Sequence, residues 1–250
     1  SNPEVVPLDS TVFETKVAYD ALGRIRLQAL PDGTLRKFEY LQGGGVDKVK
    51  VSTEDGILND VAFLNGSRFN AKGQRTSATF GNGVVASFKY DAETFRMSRL
   101  TTTRPSASIS GTPETLQDIR YTYDAVGNIT HFIDYAQQPV PSSSHVIHGL
   151  TVSAHCEFTY DAFYQLKEAT GRVHQALLQH DYRPNVSRPG ALKGTYHLNL
   201  NNGQAVERYR RTYDYDLSGN IKRIRHQGVS HSWTTEVWTS ASSNRSLPAM

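Results

Sequence analysis

One short unit, aromatic-Tyr-Asp-Ala-x-Gly-Asn, returns along this chain and leaves few folds open to it. The clearest copy is YTYDAVGNI, Tyr121 to Ile129. Others are VAYDALGRI (Val17 to Ile25), FKYDAETFRM (Phe88 to Met97), FTYDAFYQL (Phe158 to Leu166) and YDYDLSGNI (Tyr213 to Ile221). A worn copy, RFNAKGQR, keeps Phe69, Asn70 and Gly73 in the same order, and Phe38-Glu39-Tyr40 ahead of Gly43, Gly44 and Gly45 reads as a further one. Each position has a local reason. Successive strand side chains point to opposite faces, so Tyr121 and Tyr123 share one. Asp124 follows at the first turn position, where a short carboxylate accepts backbone N–H bonds, and Gly127 supplies the positive φ that closes the turn. Asn128 then opens the returning strand. The same roles fall to Tyr19, Asp20 and Gly23, to Tyr90 and Asp91, to Tyr160 and Asp161, and to Tyr215, Asp216, Gly219 and Asn220. Each unit is therefore a hairpin built on a type I turn with a left-handed residue.

Spacing argues for an array. Tyr19 to Tyr40 and Phe69 to Tyr90 are both 21 residues, the length of two strands with their turns. Later intervals widen to 33, 37 and 55 residues. The excess sits in Ser-, Thr-, Pro- and Asn-rich stretches at about 101–118, 136–155 and 180–204, read as loop insertions. Ala follows Asp in four of the five full copies and Gly recurs at one offset in three, which chance Tyr-Asp pairs would not produce. Single units of this size cannot bury an apolar face and need stacked neighbours.

The units resemble the tyrosine-aspartate repeats of Rhs proteins, teneurins and bacterial insecticidal toxin complexes. The ordered series GNGV, YDAETFRMSRL, YDAVGNI, EATGR and SNRSL is most similar to the Rhs-repeat region of the toxin-complex B component, the SpvB/TcaC-like proteins. The likeness runs from about Val17 onward. It implies an all-β chain of antiparallel hairpin repeats in a curved sheet, a segment of a hollow β-shell enclosing a cytotoxic polypeptide. The implied partners are the other Rhs-repeat component and the enclosed toxin segment, and the implied location is secreted, within a toxin complex. No enzymatic activity and no cofactor are expected. Related C components carry an aspartate-dependent self-cleavage site with a DPxG-type signature; this sequence has no Asp-Pro-x-Gly, so no autoproteolysis is expected of it. The alternative is carbohydrate or cell-surface recognition through an exposed ladder of the repeat tyrosines.

Composition fits without deciding. The 250 residues exceed the usual ~100–150 of one domain, although all-β domains reach this length, so one domain or two stays open. An apolar content of 38%, with the 13 tyrosines counted and glycine left out, lies below that of ordinary globular domains and predicts a thin core. Net charge is +3 from 27 basic and 24 acidic residues spread along the chain, with no block suited to a nucleic acid backbone. The cluster Arg208, Arg210, Arg211, Lys222, Arg223 and Arg225 reads as the solvated face of the last hairpin. No run approaches the ~18 apolar residues of a membrane span, and SNPEVVPLDS lacks a signal pattern. The repeat pattern fills the chain from end to end, which suggests a segment of something longer.

Three chemical constellations have plainer readings. His145, His148, His155 and Cys156 include zinc-ligand types, but their spacing matches no ribbon or finger. Cys156 is the only cysteine, and His155 beside it would point to the opposite strand face. The repeated aspartates each occupy a turn position, where local hydrogen bonding outweighs catalysis. Gly43–Gly45 and Gly81–Gly83 read as hairpin turns rather than phosphate cradles. In Asp161–His180 the repeat register calls for strand through Thr170, with a short helical turn around Val173–Gln179.

Overall fold

The structure is a computed structural model and describes residues 12–105, 114–137, 152–174, 206–230, 232–240 and 246–248. These divide into two compact units. The first, residues 1–89 with 102–114, contains β1 (Lys16–Tyr19), β2 (Ile25–Ala29), β3 (Leu35–Tyr40), β4 (Val46–Ser52), β5 (Val61–Phe69), β6 (Arg75–Phe80) and nearly all of β7 (Val85–Tyr90). The second, residues 90–101 with 115–250, contains most of β8 (Met97–Thr103) and then β9 (Thr115–Tyr123), β10 (Ile129–Asp134), β11 (His155–Tyr160) and β12 (Leu166–His174). It continues with β13 (Val206–Tyr215), β14 (Ile221–Gly228), β15 (Ser232–Thr239) and the short β16 (Ser246–Pro248).

Within each unit the strands pair antiparallel with their sequence neighbours, as a run of hairpins must. The only helical element among the described residues is one 3-10 turn, Tyr135–Gln137. The all-β hairpin fold expected from the repeats is therefore the observed one. Burial alternates along β7, β11 and β15, so each strand offers one face to its neighbours' side chains and the other to water. The core is thin. Among the described residues the buried apolar side chains are Leu64, Ala78, Ala86, Ala154 and Ala169, four of them alanines.

Two expectations need correcting. The stretch 101–118 is strand at both ends, since Thr101–Thr103 belong to β8 and Thr115–Asp118 to β9. Threonine is a good strand residue once a partner is at hand, and the Asp118 carboxylate accepts hydrogen bonds from Arg99 of β8 at 2.5 and 2.8 Å. Similarly, Ala136 and Gln137 lie in the 3-10 turn and His155 opens β11, narrowing the second insertion. The helical turn expected from Val173 does not start there: Val173 and His174 extend β12 by pairing with Glu207 and Val206, because cross-strand pairing overrides local helix propensity. Residues 175–179, the 180–204 insertion with its alternating Tyr196–Leu200, and His145 and His148 lie outside the described residues.

Candidate functional site

The Tyr-Asp turns line one end of the strands in each unit and share one hydrogen-bond scheme. The N–H of the first turn residue donates to the carbonyl four residues on, from Asp20 to Arg24, Asn70 to Gln74, Asp124 to Asn128, Asp161 to Gln165 and Asp216 to Asn220. The residue at the fourth position donates back to the first carbonyl. One side-chain oxygen of the first residue then accepts two backbone N–H groups: Leu22 and Arg24 on Asp20, Phe163 and Gln165 on Asp161, Ser218 and Asn220 on Asp216. On Asp124 the donors are Gly127 and Asn128, and on Asn70 they are Lys72 and Gln74. The second oxygen is held by the residue that leaves the turn, Arg24 at 2.7 Å, Asn128 at 2.8 Å and Asn220 at 3.0 Å. That is what the asparagine of the unit does.

These bonds hold the carboxyls of Asp20 and Asp216 below the ordinary carboxylate range, through the Arg24 backbone N–H in the first and the Asn220 side chain in the second. For Asp124 the desolvation of the turn pushes upward, and the bonds from Asn128 and Gly127 outweigh it. Beside each of these turns the pairing register slips, as between Ala18 and Tyr19, Thr159 and Tyr160, and Asp214 and Tyr215. A turn followed by a left-handed residue and a one-residue slip is a bulged hairpin, and each bulge bends and twists its strand.

Glycine closes four of the turns, with φ of 73° at Gly23, 77° at Gly73, 112° at Gly127 and 85° at Gly219. Two units depart from this in a way the spacing did not reveal. Tyr164 fills the glycine position at φ 62°, and the Asp91 turn is one residue longer and places Phe95 at φ 59°. A side chain in that region costs about 1–2 kcal/mol. Tyr164→Gly is expected to raise the stability of the second unit by roughly 1 kcal/mol, the relieved strain exceeding the added chain entropy of the unfolded state; denaturant titration showing a loss instead would refute the strain.

The repeat tyrosines tie one hairpin to the next. The hydroxyls of Tyr40, Tyr123, Tyr160 and Tyr215 donate to the carbonyls of Ile25, Met97, Ile129 and Leu166 at 2.7–2.8 Å, each acceptor being the first residue of the preceding hairpin's returning strand. Burial raises the pKa of Tyr123, Tyr160 and Tyr215, as befits a hydroxyl that donates. Tyr90 is half-buried at the end of β7, whereas Tyr19 in the first strand is exposed. The sequence supplied the tyrosines but not their acceptors, which belong to the neighbouring unit. Arg96 adds a second tie by donating to the Asp124 and Ala125 carbonyls at 2.7 and 3.1 Å.

One face of the second unit carries aromatic rings across successive strands: Tyr121 on Phe132 at 6.0 Å, Phe132 on Phe158 at 5.8 Å, then Tyr209, His226 and Trp233. His226 is fully buried between the last two, and its Nδ1 accepts from Arg211 Nε at 3.0 Å. Nothing in the motif pointed to this histidine. The Tyr209 ring covers Gly171, where an added Cβ would lie 2.9 Å from the hydroxyl.

The remaining candidates are placed apart. His155 bonds Ser153 Oγ at 2.9 Å and receives Arg208, while Cys156 is half-buried with its thiol pushed up by burial. Among the described residues no group of three His, Cys, Asp or Glu side chains is arranged to hold a metal ion. Arg210, Arg211, Arg223 and Arg225 each face a partner, Glu168, His226, Glu236 and Asp214 respectively.

No family model matches the chain. Two toxin subunits of Yersinia entomophaga, YenC1 and YenC2, are 29% and 28% identical to it over 96% of its length. The chain is a homologue of these toxin subunits. It spans 23% of the length of each. The crystal structure of TcdB2-TccC3 superposes on 96% of this chain with a TM-score of 0.68 at 26% identity, using 11% of that chain. The Tyr-Asp hairpins of this chain thus match stretches of toxin subunits in sequence and in fold. Both Yersinia names carry the letter C where motif order suggested a B component.

Proposed function

We propose that this Rhs-repeat segment is part of the wall of a hollow β-strand shell that encloses a cytotoxic polypeptide of a toxin complex before delivery. The carrying observation is the tyrosine tie from each hairpin to the one before it, repeated at Tyr123, Tyr160 and Tyr215. Such ties turn a run of hairpins into a stiff sheet without a second layer, and the bulges at each turn favour curvature. The turn aspartates serve as local hydrogen-bond acceptors, which supports a container rather than a catalyst. The partners are the other Rhs-repeat component and the enclosed toxin segment, and the complex acts outside the producing cell. No helix among the described residues is long and apolar enough to cross a membrane. Sugar stacking on the repeat tyrosines finds less support, because Tyr123, Tyr160 and Tyr215 are half-buried with their hydroxyls engaged.

The test is protease protection. The toxin component that contains this segment, assembled with its Rhs partner, should shield the enclosed polypeptide from a protease that degrades the same polypeptide when free. Equal digestion of the two would refute enclosure.

A further inference from the structure

All nine histidines of the chain lie between residues 131 and 231, so the first unit has none. His131, His155 and His226 fall on β10, β11 and β14 of the second unit. Two of them meet arginines of β13 from opposite sides. Arg208 and Arg211 are three residues apart in that strand and so point to opposite faces. On one face Arg211 Nε donates to Nδ1 of the buried His226. On the other, Arg208 places Nη1 2.9 Å from Nε2 of His155 and Nη2 3.2 Å from its Nδ1. Arginine only donates and a neutral imidazole has one accepting nitrogen, so the shorter contact is the bond. Nδ1 then carries the proton, 2.9 Å from Ser153 Oγ. Because His155 belongs to β11, its bond reaches across β12 to hold β13.

We propose that these two contacts form an acid-sensitive latch on β13: protonation of His155 and His226 turns each accepting nitrogen into a donor against an arginine, and the strand loosens on both faces. Around His155 stand Arg208 from β13, Glu157 from its own strand and His131 from β10, whose ring centroid is 6.0 Å away. Arg172 of β12 lies directly opposite Arg208, a like-charge pair even before a histidine is charged. Around His226 stand Arg211, Tyr209 and Glu207 from β13, the last bound by the Ser230 N–H and hydroxyl, and the uncharged Trp233 from β15. Burial first, and then the neighbouring arginine, hold both histidines below their ordinary pKa. A strand that opens restores a value near ~6.5, so the open form takes up protons first and gains on the closed one as pH falls below it. The latch is a property of the sheet and does not require that the sheet enclose anything.

Hydrogen exchange read by mass spectrometry tests the latch in the full toxin component that contains this segment. Protection factors are compared at about pH 7 and about pH 5, which bracket histidine titration and divide out the pH dependence of intrinsic exchange. Protection of β13 should fall by about tenfold or more on acidification, while β5, in the unit without histidine, keeps its protection. His155→Gln replaces a half-buried ring by an accepting oxygen that does not titrate, and β13 should then lose less protection than in the parent. With His226→Phe added, the acid-induced loss should vanish. Equal protection of β13 at the two pH values, an equal loss in β5, or a loss undiminished by His155→Gln overturns the latch.

Discussion

Gly81→Ala is expected to destabilise the first unit by about 3 kcal/mol, lowering its melting temperature by roughly 12–24 °C. Gly81 follows β6, and its N–H donates to the Phe63 carbonyl at 3.1 Å. A Cβ built there lies 1.6 Å from the Ala62 carbonyl oxygen and 2.8 Å from its carbon. Non-bonded heavy atoms prefer about 3.5 Å or more. Both partners are main chain, so no rotamer change relieves the contact and β5 must move away from β6, breaking the bond. Gly43 is the matched control, because it has nothing within 4 Å of its Cβ position and its φ is outside the left-handed region. Gly43→Ala should stay within about 0.5 kcal/mol of the parent. Thermal and urea unfolding of the two variants checks this, and equal stabilities would mean that the approach of Gly81 to Ala62 is not as close as described.

His226→Ala is expected to cost the second unit about 3 kcal/mol, since it removes a fully buried ring and two stacked contacts worth ~0.5–1.5 kcal/mol each. Its ring lies 5.4 Å from Tyr209 and 5.2 Å from Trp233, nearly parallel to the latter. Arginine only donates, so the bond from Arg211 fixes Nδ1 as acceptor and the ring as neutral with its proton on Nε2. Burial first, and then the Arg211 charge, depress the histidine pKa, while the Glu207 carboxylate opposes them. The unfolded chain takes up a proton near its ordinary value of about 6.5 and the folded chain only at lower pH. In that window the unfolded state binds more protons, so the stabilisation is complete above ~6.5 and is lost as pH falls toward the folded pKa. His226→Phe keeps an aromatic ring and removes the titration. Its stability should fall less than that of the parent between about pH 7 and 5; parallel curves would reject the role of His226.

The turn aspartates add a second, more acidic window. Asp20 and Asp216 are depressed by their hydrogen bonds, so their contribution is present above the ordinary carboxylate range and disappears as pH drops through it and below.

How much was readable in advance depends on the range of the interaction. Asp124, Gly127 and Asn128 lie within five residues of each other, and the bonds of the Asp124 carboxylate are internal to the turn, so the motif announced the geometry. Tyr123 was assigned to a face, but its acceptor is Met97, 26 residues away. Tyr164 and Phe95 lacked the glycine that marks the other turns, and each stands in the left-handed region with its N–H bonded back to the aspartate carbonyl that opens the turn. The ends of the 101–118 stretch were read as loop from their Ser, Thr and Pro content, because composition does not show that Asp118 faces Arg99.

By itself, then, the amino-acid order determined that this chain is a series of bulged hairpins, because turn chemistry and strand alternation act over two to five residues. Only the folded molecule decided which carbonyls Tyr40, Tyr123, Tyr160 and Tyr215 grip, and that His226 is sealed between Tyr209 and Trp233. Those outcomes depend on which strands become neighbours and in what register, and register is set cooperatively by pairing across the sheet rather than by any one segment.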